Sequence, residues 1–351
     1  MTLTGEGLQP SEFALTAARA VADCAALSLR EQARHLANDG LLGVIAAQDV
    51  GGLDLPLAFA VPVVAAAGSG LLGFSLMEAL LLGRALQESL PRAAEAIVTG
   101  DKLATIAWQG SLSAEREGES VVLNGWVGRA ACAGEADGLL VRIGTGAAAL
   151  VPMDSEGVVV EGAAGLDLTV PEHTVRLQDV TIPAARVLPD GTWGLLCSDA
   201  NVLRAAAILG SAEACLTLAQ EHAETRRQFG RALSYNQAIR HALARQKLGL
   251  EGIRHAITRS VSDEAGALQR DAAFLAAGVY GVAISEGALQ IHGGMGFTWD
   301  VPVHRHLRRV RALQAQGEAG GTLAALGRRY IGAIAPASDA TQCQDKEGKS
   351  P

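Results

Sequence analysis

The sequence changes period twice, near residue 102 and near residue 192, and no other feature limits the fold so strongly. From Ser28 to Gly100 the apolar residues recur at helical spacing. "SLREQARHLANDGLLGV" opens on Ser28, a good N-cap, with Glu31 placed to close a capping box and Gly40 to stop the helix. The residues before Ser28 read as a ragged leader or a shortened first helix. After residue 102 short β-leaning runs take over, among them "KLATIAWQG", "ESVVLNGWVG" and "HTVRLQDVTI", punctuated by Gly, Pro, Asn and Asp. In the last of these Val175 and Leu177 alternate with Thr174, Arg176 and Gln178, the period of a half-buried strand. The strand–helix alternation of a parallel sheet is missing, so antiparallel strands are expected to about Leu188. From Trp193 to Ile334 long helical segments return, broken near 229–234, near 260–267 and at a glycine-rich stretch beginning at Gly293. The expected fold is therefore α+β and multidomain. It comprises an N-terminal helical domain (1–101), a middle antiparallel β-domain (102–192), a C-terminal domain like a four-helix bundle (193–335) and a disordered tail (336–351).

Composition narrows the function. A net charge of −8 argues against nucleic acid, whose phosphates require clustered Lys and Arg. Aromatic residues are only 4% of the chain, while Ala and Gly are abundant, which suits helices in close contact through small residues. No apolar run reaches the ~20 residues of a membrane span without a charge or glycine, and Pro62 breaks the best candidate. Glu6 and Glu12 precede any apolar block, which is unlike a signal peptide. Five scattered cysteines suggest neither a disulfide framework nor zinc. A reduced, cytoplasmic protein is expected. His304 and His306, two residues apart, diverge on a helix, and no metal site is expected.

Two stretches carry chemistry. In "GALQIHGGMGFTWDVP", Gly293, Gly294 and Gly296 follow a helical pattern rather than a strand, so a Rossmann turn is excluded. They read either as a helix terminator or as bare main chain open to a ligand, with Gln290 and His292 beside it. In "ETRRQFGRALSYNQ", Arg226 stands where a helix ends and can hold phosphate, and Phe229 can pack on a flat ring.

Together these segments resemble the acyl-CoA dehydrogenase family. "TRRQFGRALSYNQAI" is similar to its Arg-x-x-Phe-Gly…Gln segment, and "QIHGGMGFTWDVPVHRHLRR" to its glycine-rich C-terminal motif. "HTVRLQDVTIPAARVL" and "GEADGLLVRI" resemble two of its strands, so the likeness covers roughly residues 28–335. It implies FAD held between the subunits of a homodimer or homotetramer, an acyl-CoA substrate and an electron-transferring flavoprotein as acceptor. Arg226 would meet the FAD diphosphate, Gln228, Phe229 and Gln237 would lie near the adenosine half, and Gln290, Gly293 and Gly294 would contact the dinucleotide of a neighbouring subunit.

The family's reaction needs a carboxylate to take the α-proton while a hydride leaves Cβ for the flavin. The usual Glu position corresponds to Gly317, with Glu318 adjacent in "AQGEAGGT". Some relatives carry the base on the preceding helix, where "SDANVLRAAAILG" offers Asp199. Glu318 ranks above Asp199. The family's Thr-Glu-Pro…Gly-Ser-Asp loop and its Trp-x-Thr are absent; "AWQGSLSAEREGES" and "VGRAACAGEAD" stand in their places. Two functions follow. The first is an FAD-dependent acyl-CoA dehydrogenase with Glu318 as base; the second is a partner subunit that helps a sister chain hold FAD but lacks the base.

Overall fold

A computed structural model describes residues 7–162 and 165–334, and the tail expected over 336–351 lies outside them. The N-terminal layer contains α1 (Phe13–Asp23), α2 (Leu29–Asn38), α3 (Ala60–Ser69), α4 (Leu76–Leu86) and α5 (Pro91–Val98). Helix α2 starts on the expected capping box. The Ser28 amide donates to Glu31 Oε2 at 2.8 Å while the Glu31 amide donates to Ser28 Oγ at 3.4 Å. Gly40, at φ +73°, then turns the chain away.

Strands β1 (Ala104–Glu117), β2 (Ser120–Ala131), β3 (Gly138–Ile143), β4 (Ala147–Pro152), β5 (Val158–Gly162), β6 (Glu172–Pro183) and β7 (Val187–Leu188) form one sheet in the order β5-β6-β2-β1-β3-β4-β7. Val175, Leu177, Val180 and Ile182 of β6 are buried together with Leu139, Val141 and Val151. The expectation of antiparallel pairing holds with one correction: β1 and β3 run parallel from Ala104–Gly138 to Ile106–Leu140. A short turn at 132–137 sends the chain back beside the start of β1. There the Asp137 carboxylate accepts from the Leu103 amide at 2.8 Å and from Arg30 and Lys102, both at 3.1 Å.

The C-terminal layer is built on α6 (Thr192–Thr225), followed by a tiny hairpin of β8 (Arg227–Gln228) and β9 (Arg231–Ala232). Then come α7 (Gln237–Ser260), α8 (Ala267–His292), α9 (Val303–Gln316) and α10 (Ala319–Ile334). Helices α6 and α8 are apolar on nearly every face because they pack against each other at the centre of the bundle. Both are long and apolar enough to cross a membrane by length and composition, but 72% and 50% of their most apolar windows are buried within the fold. Small residues let α3 approach α6 until backbones touch: a Cβ on Gly210 would overlap the Ala65 carbonyl, and one on Gly68 the Ala207 carbonyl. An ion pair ties α9 to the segment before β6 and to the turn after α3. Arg309 Nε donates to Asp167 Oδ2 at 2.6 Å, and its Nη2 reaches the Leu72 carbonyl at 2.8 Å.

Candidate functional site

Two places gather polar side chains, one on the surface and one at the centre. On the surface, the C-terminal ends of α6 and α8 lie side by side. His222, in the last turn of α6, stacks on His292, the final residue of α8, with ring centroids 4.4 Å apart and planes inclined by 27°. The stack brings the Arg226 segment and the Gly293–Gly294 segment to one corner. Arg226 caps α6 and is exposed, as are Gln228, Gln237, Gln290, Gly293 and Gly294. A Cβ added at Gly293 or Gly294 would meet nothing within 4 Å, so the main chain there lies open to a ligand. Phe229 is held out at 96% exposure by a left-handed backbone, φ +53°. For a non-glycine residue that conformation is uncommon and marks a built feature. Tyr235, Phe297 and Trp299 are also exposed nearby in sequence, a set of large apolar side chains suited to a contact surface.

At the centre, a cleft of about 390 Å³ opens between the sheet and the C-terminal helices. Trp108 and Gln109 of β1 form one wall, and Trp193, Cys197, Asn201 and Arg204 of α6 another. Asp271 and residues 316–318 complete it. Behind it lies a connected set of hydrogen bonds. Glu78 Oε1 accepts from Trp108 Nε1 at 3.0 Å and from Gln316 Nε2 at 3.1 Å. Gln316 Oε1 accepts from Arg204 Nε at 3.0 Å, and Asn201 Oδ1 from Arg204 Nη1 at 3.0 Å. Asn201 Nδ2 in turn donates to Asp271 Oδ1 at 2.9 Å.

The Arg204 guanidinium also lies 4.1 Å from the Trp108 ring centre, a cation–π contact. Its Nη2 has no hydrogen-bond partner among the described residues. Burial pulls the Arg204 guanidinium down to about 10 and pushes the Glu78 carboxyl up. The pair is thus a charge couple relayed through an amide, filling the junction of all three layers. Glu78 and Gln316 escaped the sequence reading. The available signal was a lone acid or amide inside an apolar helical run, which periodicity by itself does not distinguish from a surface residue.

Three positions bear on the base. Gly317 is half-buried on the wall of the cleft, and the space its side chain would take is occupied: a Cβ there would sit 2.5 Å from Phe274 Cζ and 3.0 Å from Arg204 Cδ. Its φ of −86° suits any residue, so the obstacle is packing. Glu318, at φ +48°, lines the cleft but is exposed. Asp199 faces elsewhere, gripped by Arg270 at 2.5 Å and Arg84 at 3.4 Å. Burial raises its carboxyl while both arginines oppose the rise.

Residues 199–326 match the family model described as the acyl-CoA dehydrogenase C-terminal domain. The human mitochondrial short-chain specific acyl-CoA dehydrogenase is 29% identical over 319 residues, covering 80% of this chain and 77% of that protein. Acyl-CoA dehydrogenase FadE27 of Mycobacterium tuberculosis is 27% identical over 327 residues, covering 85% and 87%. The solved ChsE4-ChsE5 complex from Mycobacterium tuberculosis superposes with a TM-score of 0.84 at 26% identity, over 93% of this chain and 98% of that one.

The chain belongs to the acyl-CoA dehydrogenase family. That family is FAD-dependent, so FAD is the cofactor that belongs with this fold. The two halves of the coenzyme fit this chain unequally. The open backbone at 293–294, with Arg226 alongside, suits the diphosphate end. The ring end is different: β1 and β2 keep one register from Ala107–Ala130 to Glu117–Ser120, unpaired only at Trp108–Arg129, so no loop is inserted between them there. Trp108 is turned inward to Glu78. No group of three or more metal-ligating side chains occurs among the described residues.

Proposed function

We propose that this chain is a subunit of an FAD-dependent acyl-CoA dehydrogenase assembly in which a sister chain supplies the catalytic carboxylate. The close approach of Phe274 and Arg204 to the side-chain position of Gly317 carries this reading. The family's reaction needs a carboxylate within hydrogen-bond reach of the α-proton, and at this position a side chain of any size collides with Phe274 and Arg204. When bound, FAD supplies the hydride acceptor. The part assigned to this chain is to present Arg226, Gln290, Gly293 and Gly294 to the diphosphate, with Phe229, Gln228 and Gln237 flanking the adenosine. A relative solved as a complex of two different proteins, ChsE4 and ChsE5, supports the division of labour by analogy. Acyl-CoA as substrate and an electron-transferring flavoprotein as acceptor go with the same assignment.

A second reading has one observation of its own. Glu318 lines the central cleft, so a homo-oligomer with Glu318 as base would not need a sister. A spectrum separates the two. The chain expressed alone is expected to give little or no flavin absorbance, and to acquire flavin that an acyl-CoA bleaches anaerobically only when expressed with a base-bearing sister. A yellow preparation that bleaches alone, and loses that ability in Glu318→Gln, would establish the second reading instead.

A further inference from the structure

The stacked imidazoles sit between the two segments assigned to the coenzyme diphosphate, and their chemistry has a consequence for how an anion is held there. His292 Nδ1 lies 2.8 Å from the Ala288 carbonyl. A carbonyl oxygen only accepts, so Nδ1 carries the proton. In the neutral ring Nε2 is then a bare lone pair, which repels phosphate oxygen and donates only after protonation. The partner ring offers no relief. The charges acting on His222 are those of His292 and Arg226, both positive when present, and burial together with them holds its imidazole below the ordinary histidine range. Glu221 and Glu224, the acids nearest in α6, are exposed and lie one and two residues away, spacings that do not face His222. In the hairpin that follows, Arg227 and Arg231 add further positive charge, and Arg231 Nη2 is turned to Asn236 Oδ1 at 3.1 Å.

The helix ends sharpen the point. Both α6 and α8 present their C-termini here, where unpaired carbonyls carry negative partial charge. An anion brought to this corner meets two unfavourable dipoles, whereas a cationic ring in the last turn is favoured by both. Arg226 provides a permanent positive charge at the junction, with Arg227 and Arg231 in the hairpin beyond it.

From this juxtaposition we infer that the corner takes up a proton when it takes the diphosphate, and that the His222–His292 pair holds it. One proton serves the pair, because two charged rings stacked 4.4 Å apart repel. Those histidines are positioning residues: they set the charge of the site as a function of pH. The inference rests on the coenzyme-corner reading above. The sign is fixed by linkage. The bound state holds more protons than the free state, so affinity rises as pH falls through the interval between the free and bound pKa values, by up to about tenfold per pH unit for one proton.

FAD is a suitable probe, since both phosphates of its bridge are esterified and keep their charge across the neutral range. The full chain, in whatever assembly it forms, would be stripped of flavin and titrated calorimetrically with FAD from about pH 6 to about pH 8, in buffers of different ionisation enthalpy. The expected result is weaker binding by severalfold or more per pH unit as pH rises, with net uptake of up to one proton. His292→Gln should remove both effects and leave a dissociation constant that is flat with pH. His222→Gln, which keeps His292, provides a second variant if the first fails to fold, and should change the pH at which uptake occurs. FAD bound with a pH-independent affinity and no proton uptake overturns the inference while leaving the corner reading intact. No FAD binding at any pH, alone or in the assembly, takes down the corner reading and this inference with it.

Discussion

Alanine at position 317 tests directly whether Phe274 and Arg204 fill the space beside Gly317. At a permitted φ, replacing Gly by Ala ordinarily stabilises a protein by about 0.4–1 kcal/mol through the unfolded chain. Here the opposite sign is expected. The new methyl would lie 2.5 Å from Phe274 Cζ and 3.0 Å from Arg204 Cδ. Phe274 is completely buried and Arg204 is 2% exposed and hydrogen-bonded through Nε and Nη1, so making room disturbs packing or hydrogen bonds. Overpacking of this kind costs about 1–3 kcal/mol. For a domain of ~150 residues that is a fall in Tm of roughly 4 °C per kcal/mol. The assay is urea or thermal unfolding of wild type, Gly317→Ala, Phe274→Leu and the double variant. In the Phe274→Leu background the methyl gains room, and Gly317→Ala should become neutral or stabilising, a coupling of about 1 kcal/mol or more between neighbours. If Gly317→Ala is stabilising in the wild-type background, the position is not filled. The reason for assigning the base to another chain then disappears.

Three further outcomes follow from the packing. Gly210→Ala should cost about 2–3 kcal/mol despite alanine's better helix propensity, because its Cβ overlaps the Ala65 carbonyl; chemical denaturation checks it. Asp167→Ala should cost about 3–5 kcal/mol by leaving Arg309 buried and unpaired, the two side chains being 8% and 7% exposed; a much smaller loss would mean that Arg309 finds another partner. Burial, reinforced by Arg309 and Arg305 and opposed by Asp167, pushes His306 down from 6.5 to about 3. A depressed histidine pKa means that the unfolded chain binds the proton first, so this contribution is present above pH 6.5 and is lost as pH falls. Unfolding free energy should drop by about 1 kcal/mol from pH 6.5 to 5.5, and His306→Gln should flatten that segment of the curve.

Much of the architecture was readable in one dimension because its signals are local. The capping box of Ser28 and Glu31, the alternation of Val175 and Leu177, and the breaks between α6, α7 and α8 all depend on residues within a few positions of each other. The parallel pairing of β1 with β3 was not readable, because it depends on where a turn at 132–137 returns the chain. Likewise Arg226, Phe229, Gly293 and Gly294 stand out by residue type and spacing, whereas their meeting at one corner depends on a stack between His222 and His292, seventy positions apart in the chain.

The centre shows the same division. The sequence alone determined that glycine stands where the family keeps its glutamate, and that an arginine interrupts the alanines of α6. Only the tertiary structure decided that these two facts meet: Phe274 fills most of the space a side chain at 317 would need, and Arg204, held by Gln316 and Asn201 and lying on Trp108, closes its other side. Helices α6 and α8 are apolar on nearly every face, so no periodicity says which side of one meets which side of the other. That choice is made by close packing among residues distant in sequence, and packing has no one-dimensional signature.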